Sequence, residues 1–305
     1  MNPATEANRQ ISRQRRQSDL VHLALPKGRM HDGVVDLLAA AGIRVQTDAR
    51  AYRPRLSVAG FETKLLKPQN IVSMLEEGSR DVGFAGADWV AEKGADLVEL
   101  LDTGLDPVRI VAAAPSNLVV DGELQMPAGR ALVVSSEYTS LARQWMDGNR
   151  PDAHFVRSYG ATEVFPPEDA DVIIDNAATG ATLAANDLTV FDVVLRSSTR
   201  LFANESALRD PDKRRRIDDL VVCLRSVLEA RSRAMIELNV SPREMQLVVD
   251  ALPCMRQPTV SPLSGQGGYA VRAAVLRREL PALIPTLKAL GASDLVVSSC
   301  EQIVP

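Results

Sequence analysis

The chain repeatedly passes from a short apolar run into a polar or glycine-containing loop and then into a helical pattern. Residues 21–25, 81–86 and 171–174 are mostly apolar runs of strand length, and a stretch compatible with a helix follows each of them. Alternating strands and helices are typical of α/β folds with largely parallel sheets. In such sheets, the loops at the carboxyl ends of the strands line the ligand site. Further strands are predicted at 108–114, 191–195 and 199–203.

The alternation occurs in two successive blocks and then changes character. We predict an α/β lobe I from residues 20–115 and 200–231, and an α/β lobe II from residues 116–199. Residues 232–305 follow the order β-α-β-β-α-β, which is that of a ferredoxin-like domain and indicates a regulatory or assembly module. Residues 1–19 are polar and rich in arginine, so a disordered N-terminal extension is predicted.

The segment Val172-Ile-Ile-Asp-Asn-Ala-Ala-Thr-Gly-Ala-Thr-Leu183 joins a strand to a helix start through a loop of small residues. Its backbone N–H groups, its two hydroxyls and the positive end of a helix dipole suit a phosphate monoester. Asp175 lies just upstream and can accept hydrogen bonds from sugar hydroxyls. The segment therefore indicates a ribose-phosphate site, although an ordinary turn has the same residue types.

Two further loops carry charge at a helix start. Lys27 and Arg29 flank Gly28 after the first strand, where an anionic ligand would be favoured and a solvated turn is the alternative. Asp88 follows the strand at 81–86 and either caps the next helix or faces a ligand.

Composition excludes several classes of function. A net charge of −4 and an aromatic content of 4% argue against a nucleic-acid partner. The N-terminal residues resemble neither a signal peptide nor a membrane span, so no membrane partner is expected. The three cysteines are widely spaced and odd in number, which disfavours a disulfide framework and predicts a reducing cytoplasm.

Eight motifs occur in a fixed order along residues 20–305. They are Leu25-Pro-Lys-Gly-Arg-Met30, Lys67-Pro-Gln-Asn-Ile71, Asp81-Val-Gly-Phe-Ala-Gly-Ala-Asp-Trp89, Glu137-Tyr138, Gly160-Ala-Thr-Glu163, the loop 175–183, Gln257-Pro-Thr-Val-Ser-Pro-Leu263 and Leu287-Lys-Ala-Leu-Gly-Ala292. Together they resemble the ATP phosphoribosyltransferase family in its long form, which has a C-terminal histidine-binding regulatory domain. The resemblance implies a two-lobed core like that of periplasmic binding proteins, followed by a ferredoxin-like domain.

The family resemblance also implies a reaction and a set of site residues. ATP and phosphoribosyl pyrophosphate would give N1-(5-phosphoribosyl)-ATP and pyrophosphate, in the first step of histidine biosynthesis. The catalytic residues would be Asp175, Lys27 and Arg29. The residues binding phosphoribosyl pyrophosphate would be Asp175, Thr179, Gly180, Ala181, Thr182 and Leu183, and those binding ATP would be Lys27, Gly28, Arg29, Asp88 and Glu163. Mg²⁺ would be held by substrate phosphates and water, with no metal site made of protein side chains alone.

Regulation and assembly follow from the same resemblance. Histidine would inhibit by binding near Thr259 and Asp294, within a homodimer or homohexamer. The chain departs from the family pattern at Asn70, at Leu105-Asp106 and at residues 176–178. The alternative function is therefore a non-catalytic small-molecule-binding or regulatory paralogue of the same fold.

Overall fold

A computed structural model describes residues 19–46, 52–125, 129–265 and 267–304. The chain divides into two compact units, the first formed by residues 1–36 and 43–218 and the second by residues 37–42 and 219–305. The predicted N-terminal extension lies outside the described residues except for Asp19. The lobe and domain boundaries given above stay predictions.

The regular elements of the described residues are as follows. The helices are α1 (Met30–Ala40), α2 (Pro68–Glu76), α3 (Ala87–Lys93), α4 (Thr139–Asn149), α5 (Ala181–Ala185), α6 (Glu205–Arg209), α7 (Pro211–Ser232), α8 (Met245–Ala251) and α9 (Leu280–Ala289). The strands are β1 (Val21–Pro26), β2 (Val45–Gln46), β3 (Arg55–Leu56), β4 (Phe61–Leu66), β5 (Val82–Gly86), β6 (Val98–Pro115), β7 (Val119–Val120), β8 (Glu123–Leu124), β9 (Val133–Ser136), β10 (His154–Arg157), β11 (Val172–Ala177), β12 (Leu188–Ala203), β13 (Arg233–Val240), β14 (Thr259–Pro262), β15 (Tyr269–Leu276) and β16 (Ser293–Ser298).

Eight strands of the first unit form one mixed sheet in the order β10-β9-β11-β6-β12-β5-β1-β4. β1 is parallel to β4 and β5, and β9 is parallel to β10 and β11. The long strands β6 and β12 are antiparallel to each other, and they pair antiparallel with β11 and β5 respectively. The two predicted parallel groups are thus halves of one continuous sheet.

The length of β6 and β12 brings the carboxyl ends of the two parallel groups face to face. Gly86 at the end of β5 pairs with Thr199, while Ala177 at the end of β11 pairs with Arg109. Arg109 in turn pairs with Arg196, close to Thr199 on β12. Because β5 and β11 run in opposite directions, the loops that follow both strands converge on the same stretch of the central pair.

Amphipathic helices cover both parallel groups. α2 begins with Pro68, which suits the first helical position, and it buries Ile71, Val72 and Leu75 against the first group. α4 buries Leu141 and Trp145 against the second group. Full burial of a side chain of this size stabilises the fold by about 1.5–3 kcal/mol, so these helices hold the sheet ends in place beneath the loops.

The second unit contains a four-stranded antiparallel sheet in the order β14-β15-β13-β16. Val248 of α8 and Leu283 and Leu287 of α9 pack with the strands in one apolar cluster. This strand order is the one that β-α-β-β-α-β connectivity produces in ferredoxin-like domains, and the predicted fold class is confirmed. Among the described helices, none combines the length and the apolarity needed to cross a bilayer.

Three predicted strands need correction. The strand predicted at 108–114 is only the end of β6, which begins at Val98. The strands predicted at 191–195 and 199–203 are one strand, β12, whose register against β6 shifts at several points. Such irregularities interrupt the alternation of apolar and polar residues, so one long strand gives the sequence pattern of two short ones.

Candidate active site

The cleft between the two parallel groups holds two adjoining cavities. The first has a volume of about 210 Å³ and the second of about 260 Å³. Arg29 and Asn176 line both cavities. The loops after β1, β5, β9 and β11 all contribute, so the site lies at the carboxyl ends of the strands, as expected for an α/β sheet.

The loop after β11 forms most of the second cavity. All residues predicted to bind a phosphoribosyl group line it: Asp175, Thr179, Gly180, Ala181, Thr182 and Leu183. Gly180 has a φ of 83°, which favours glycine, and it is the N-cap residue of the short helix α5. The N–H groups in a first helical turn have no carbonyl partner one turn earlier. The cavity therefore combines backbone donors and two hydroxyls with the carboxylates of Asp175 and Glu163.

Asp175 is the carboxylate at the end of this strand. Burial raises its pKa to about 6, the negative charges of Glu163 and Glu137 add to the rise, and the hydrogen bond from the Asn176 backbone N–H opposes it. That N–H donates to Asp175 Oδ1 over 2.7 Å. At neutral pH the group is mostly ionised, at an energetic cost that a positively charged partner would relieve.

Lys27, Gly28 and Arg29 form the turn between β1 and α1. Gly28 has a φ of 76°, and its carbonyl accepts a hydrogen bond from the backbone N–H of His31. Lys27 lies beside the first cavity, with its Nζ 3.6 Å from the centroid of the Tyr52 ring. Arg29 is the cation placed between the two cavities, so it can reach a ligand in either.

Asp88 is buried at the start of α3 and faces the first cavity. Its Oδ2 accepts a hydrogen bond from Tyr138 Oη over 2.8 Å, and its Oδ1 accepts one from Ser197 Oγ over 2.7 Å. The helix-capping interpretation is wrong, because Gly86 is the N-cap residue and α3 has no side-chain cap. The carboxylate instead joins three elements of the cavity wall.

An aromatic pair lies next to this carboxylate. The rings of Trp89 and Tyr138 are stacked, with centroids 4.8 Å apart, and both residues line the first cavity. Burial and the charge of Asp88 raise the pKa of Tyr138 far above its usual range, so its hydroxyl stays protonated and keeps donating. Flat apolar surface beside a fixed acceptor suits a heteroaromatic ring that carries a donor.

Helix α4 receives its N-terminal cap from α3. The carboxylate of Glu92 accepts hydrogen bonds from the backbone N–H groups of Ser140, at 2.9 and 3.1 Å, and of Leu141, at 3.0 Å. The N-cap residue of α4 is Tyr138, which supplies no side-chain cap of its own. Glu92 thus fixes the helix end on which Tyr138 approaches Asp88.

Three consecutive residues of β12, Ser197, Ser198 and Thr199, also line the first cavity. Side chains of a regular strand alternate between faces, but the register of β12 against β6 shifts between Ser197 and Thr199. Opposite them, Asp106 has a φ of 47° and its Oδ2 accepts a hydrogen bond from Thr199 Oγ1 over 3.0 Å. These residues could not be predicted as site residues, because no sequence motif indicates this register shift.

Two residues predicted to bind ATP, Glu163 and Gly28, do not line the first cavity with Lys27, Arg29 and Asp88. Glu163 lines the second cavity with Asp175, whereas Asp88 and Lys27 line the first. Gly28 shapes the turn but is not one of the described residues that line either cavity. Across the described ranges, no group of three or more histidine, cysteine, aspartate or glutamate side chains is arranged to hold a metal ion.

Thr259 and Asp294 are not brought together within one chain. Thr259 lies on β14 and Asp294 on β16, the two opposite edges of the four-stranded sheet. The pKa of Asp294 is lowered by hydrogen bonds from Asn239 and Ser293. With strands about 4.8 Å apart, the two edges are too far apart for one amino-acid ligand to touch both.

Comparison with known proteins gives consistent matches along the chain. Residues 67–226 match the family model described as HisG, ATP phosphoribosyltransferase, and residues 230–302 match the HisG C-terminal domain. An ATP phosphoribosyltransferase from Chlorobium phaeovibrioides is 33% identical over 90% of this chain and 95% of its own length. One from Pelotomaculum thermopropionicum is 32% identical over 93% of this chain and 99% of its own length.

Among solved structures, similarity extends to the ATP phosphoribosyl transferase (HisG:HisZ) complex from Thermotoga maritima. The matched chain of that complex has a TM-score of 0.60 and 22% identity, covering 69% of this chain and 99% of its own. At that identity the likeness concerns the fold alone.

Proposed function

The chain belongs to the ATP phosphoribosyltransferase family, and we propose that the cleft with its two adjoining cavities is the active site. Enzymes of this family transfer the phosphoribosyl group of phosphoribosyl pyrophosphate to N1 of ATP and release pyrophosphate, in the first step of histidine biosynthesis. The observation that carries the proposal is the pairing of a polar loop cavity with an aromatic cavity, joined at Arg29.

The second cavity would hold the phosphoribosyl group. Thr179 and Thr182, with the N–H groups of the loop, would bind the 5′-phosphate, and Asp175 would accept hydrogen bonds from the ribose hydroxyls. Positive charge develops on the ribose ring as pyrophosphate leaves. A half-buried, ionised Asp175 would stabilise that charge most in the transition state, which is the condition for lowering the barrier.

The first cavity would hold the nucleotide. Trp89 is partly exposed and stacks on the buried ring of Tyr138, so it offers a surface for the adenine ring, and Asp88 offers an acceptor for the adenine amino group or for a ribose hydroxyl. Lys27 and Arg29 would neutralise phosphates of ATP or the leaving pyrophosphate. Adenine N1 already carries a lone pair, so attack needs orientation rather than a general base.

The residues present fit a magnesium ion that arrives with the substrates. Two carboxylates, Asp175 and Glu163, line the second cavity, and the charge of Glu163 contributes to the raised pKa of Asp175. Mg²⁺ commonly takes one or two carboxylates and completes its shell with phosphates and water. When bound, the ion would neutralise pyrophosphate as it leaves.

The activity is tested by mixing the protein with ATP, phosphoribosyl pyrophosphate and Mg²⁺ and following product absorbance. Absence of product would contradict the assignment and favour a non-catalytic paralogue.

The loop assignment is tested with Thr182→Val, which removes one hydroxyl at nearly constant volume. Hydrogen bonds to charged groups are worth about 1.5–3 kcal/mol. The affinity for phosphoribosyl pyrophosphate should therefore fall roughly tenfold or more.

Thr286→Val is the matched control for that variant. Thr286 is an exposed helical threonine of the second unit whose hydroxyl donates to the carbonyl of Ala282. It should leave affinity for phosphoribosyl pyrophosphate unchanged. If Thr182→Val behaves like the control, the 5′-phosphate does not bind at this loop.

Histidine inhibition and oligomer formation are the finer part of the proposal. Since Thr259 and Asp294 lie on opposite edges of one sheet, a histidine that contacts both would lie between two copies of the chain. Removing residues 232–305 should then abolish inhibition by histidine. Mixing Thr259→Val with Asp294→Ala should restore part of the inhibition that each variant lacks alone, and no restoration would contradict a shared site.

The cellular location follows from the reaction. Three free thiols, at Cys223, Cys254 and Cys300, fit a reducing compartment. ATP and phosphoribosyl pyrophosphate are substrates made in the cytoplasm, so we place the enzyme there.

A further inference from the structure

Ser197 and Asp88 form a closed pair of hydrogen bonds. Ser197 Oγ donates to Asp88 Oδ1 over 2.7 Å, and the backbone N–H of Asp88 donates back to the same Oγ over 3.0 Å. Both residues are buried, with Ser197 5% and Asp88 6% exposed. One hydroxyl therefore satisfies both an N–H of the first turn of α3 and one carboxylate oxygen.

The remaining surroundings of Asp88 leave its side chain little freedom. Tyr138 Oη holds the second oxygen. A Cβ added to Gly86 would lie 2.1 Å from Asp88 Oδ1, so the carboxylate occupies space that only glycine leaves open. The carboxylate is thus held from β12, from the start of α4 and from the end of β5, and its cavity-facing lone pairs have a fixed direction.

We propose that Ser197 is a positioning residue for ATP, acting through Asp88, whose carboxylate it orients toward a donor group of the nucleotide. The inference rests on the proposed function, because it takes the first cavity as the nucleotide site. Asp88 can only accept hydrogen bonds and repels phosphates, so it selects the amino group of adenine or a ribose hydroxyl. Orientation of that acceptor fixes where adenine N1 lies relative to the second cavity.

The irregularity of β12 explains how Ser197 reaches this position. The register shift between Ser197 and Thr199 turns three consecutive residues toward the cavity, and the neighbours of Ser197 make different contacts. Ser198 Oγ donates to Asp102, and Thr199 Oγ1 donates to Asp106. The contact to Asp88 thus belongs to Ser197 and is not a shared property of the strand.

The test is Ser197→Ala in the full-length protein, with steady-state kinetics for each substrate and calorimetric titration with ATP. A buried acceptor and a buried N–H lose their partner, so KM for ATP should rise by about tenfold. KM for phosphoribosyl pyrophosphate should change less than about twofold, because the second cavity is untouched. Ser226→Ala is the matched control, since Ser226 is equally buried and donates to the carbonyl of Cys223 far along α7.

A double-mutant cycle separates positioning from a structural role. If Ser197 acts through Asp88, adding Ser197→Ala to Asp88→Asn should change KM for ATP by less than about twofold. Equal losses for both substrates, an additive cycle or an unchanged KM for ATP would each overturn the proposal.

Ser197→Cys, which keeps the volume but forms weaker hydrogen bonds, replaces the alanine variant if that variant does not fold. Wild-type protein that binds ATP without forming product would refute the proposed function, while titration of the variants would still decide the role of Ser197.

Discussion

The cap that Glu92 gives to α4 predicts a local loss of stability when its carboxylate is removed. In Glu92→Ala, the backbone N–H groups of Ser140 and Leu141 lose a charged acceptor that comes from another helix. Both lie in the first turn of α4, where no carbonyl one turn earlier can replace it. The first turn of α4 should therefore open more often, while distant helices stay as they are.

The magnitude follows from the contacts. Loss of an N-cap side chain typically costs about 1 kcal/mol, and removal of a negative charge from a helix N-terminus costs about 0.3–1 kcal/mol more. Glu92 is half-buried, so solvent screens part of the charge effect and the sum is about 1–1.5 kcal/mol. That sum corresponds to roughly a tenfold higher population of the open state.

Hydrogen exchange measured by mass spectrometry reads this population directly. In Glu92→Ala, a peptide covering the start of α4 should exchange roughly tenfold faster. Glu92→Gln keeps an acceptor oxygen but loses the charge, so it should give an intermediate rate. Glu168→Ala, at an exposed glutamate, is the control and should leave the peptide unchanged. Exchange within about twofold of wild type in Glu92→Ala would show that these hydrogen bonds do not hold the helix end.

Four further predictions follow from the geometry of the proposed site. The pKa of Asp175 is raised to about 6 and the role proposed for it needs its ionised form, so kcat/KM for phosphoribosyl pyrophosphate should fall as pH drops through about 6. The same rise from 3.8 means that stability from the protonated group is present below about pH 4 and lost as pH rises through about 6. Asp175→Asn should thus be inactive, yet its thermal unfolding midpoint at pH 8 should be higher than that of the wild type. This difference in midpoint should narrow toward pH 4, and a difference that stays constant with pH would contradict the raised pKa of Asp175. Asp106→Asn keeps an acceptor for Thr199 and tolerates the positive φ, so the variant changes mainly the charge beside the first cavity. Because a carboxylate repels phosphates, loss of its charge should lower KM for ATP severalfold. A higher KM would mean that this charge binds the substrate. Gly86→Ala should raise KM for ATP by displacing the Asp88 carboxylate, and an unaltered KM would show that the carboxylate need not be fixed.

The strand–loop–helix junctions could be predicted from the sequence because each carries its own local signals. Residues of the loop 175–183 and of the turn containing Lys27 and Arg29 line the cavities, as these signals predicted. Ser197 gave no such signal, since its role depends on a register shift between β12 and β6, and these strands are joined only in the folded sheet. The two side-chain partners of Asp88, Tyr138 and Ser197, could not be predicted either, because both are far from it in the chain.

The domain fold of the second unit was predictable because its helices and strands alternate with clear periodicity. The separation of Thr259 from Asp294 was not, because the order of strands in a sheet differs from their order in the chain. Residue motifs therefore located the loops well, whereas contacts that cross between strands needed the structure.

The way the chain leaves and re-enters the central strand pair has an evolutionary and practical consequence. Pro115 at the end of β6 pairs with Leu188 at the start of β12, and the backbone N–H of Ser116 donates to the carbonyl of Asp187. Residues 116–187, which include the loop 175–183, are thus inserted between two positions that are neighbours across the sheet. The segment stays tied to the other half by the Glu92 cap on α4 and by the Tyr138–Asp88 hydrogen bond, so exchanging it between relatives requires that residues 88 and 92 be exchanged to match.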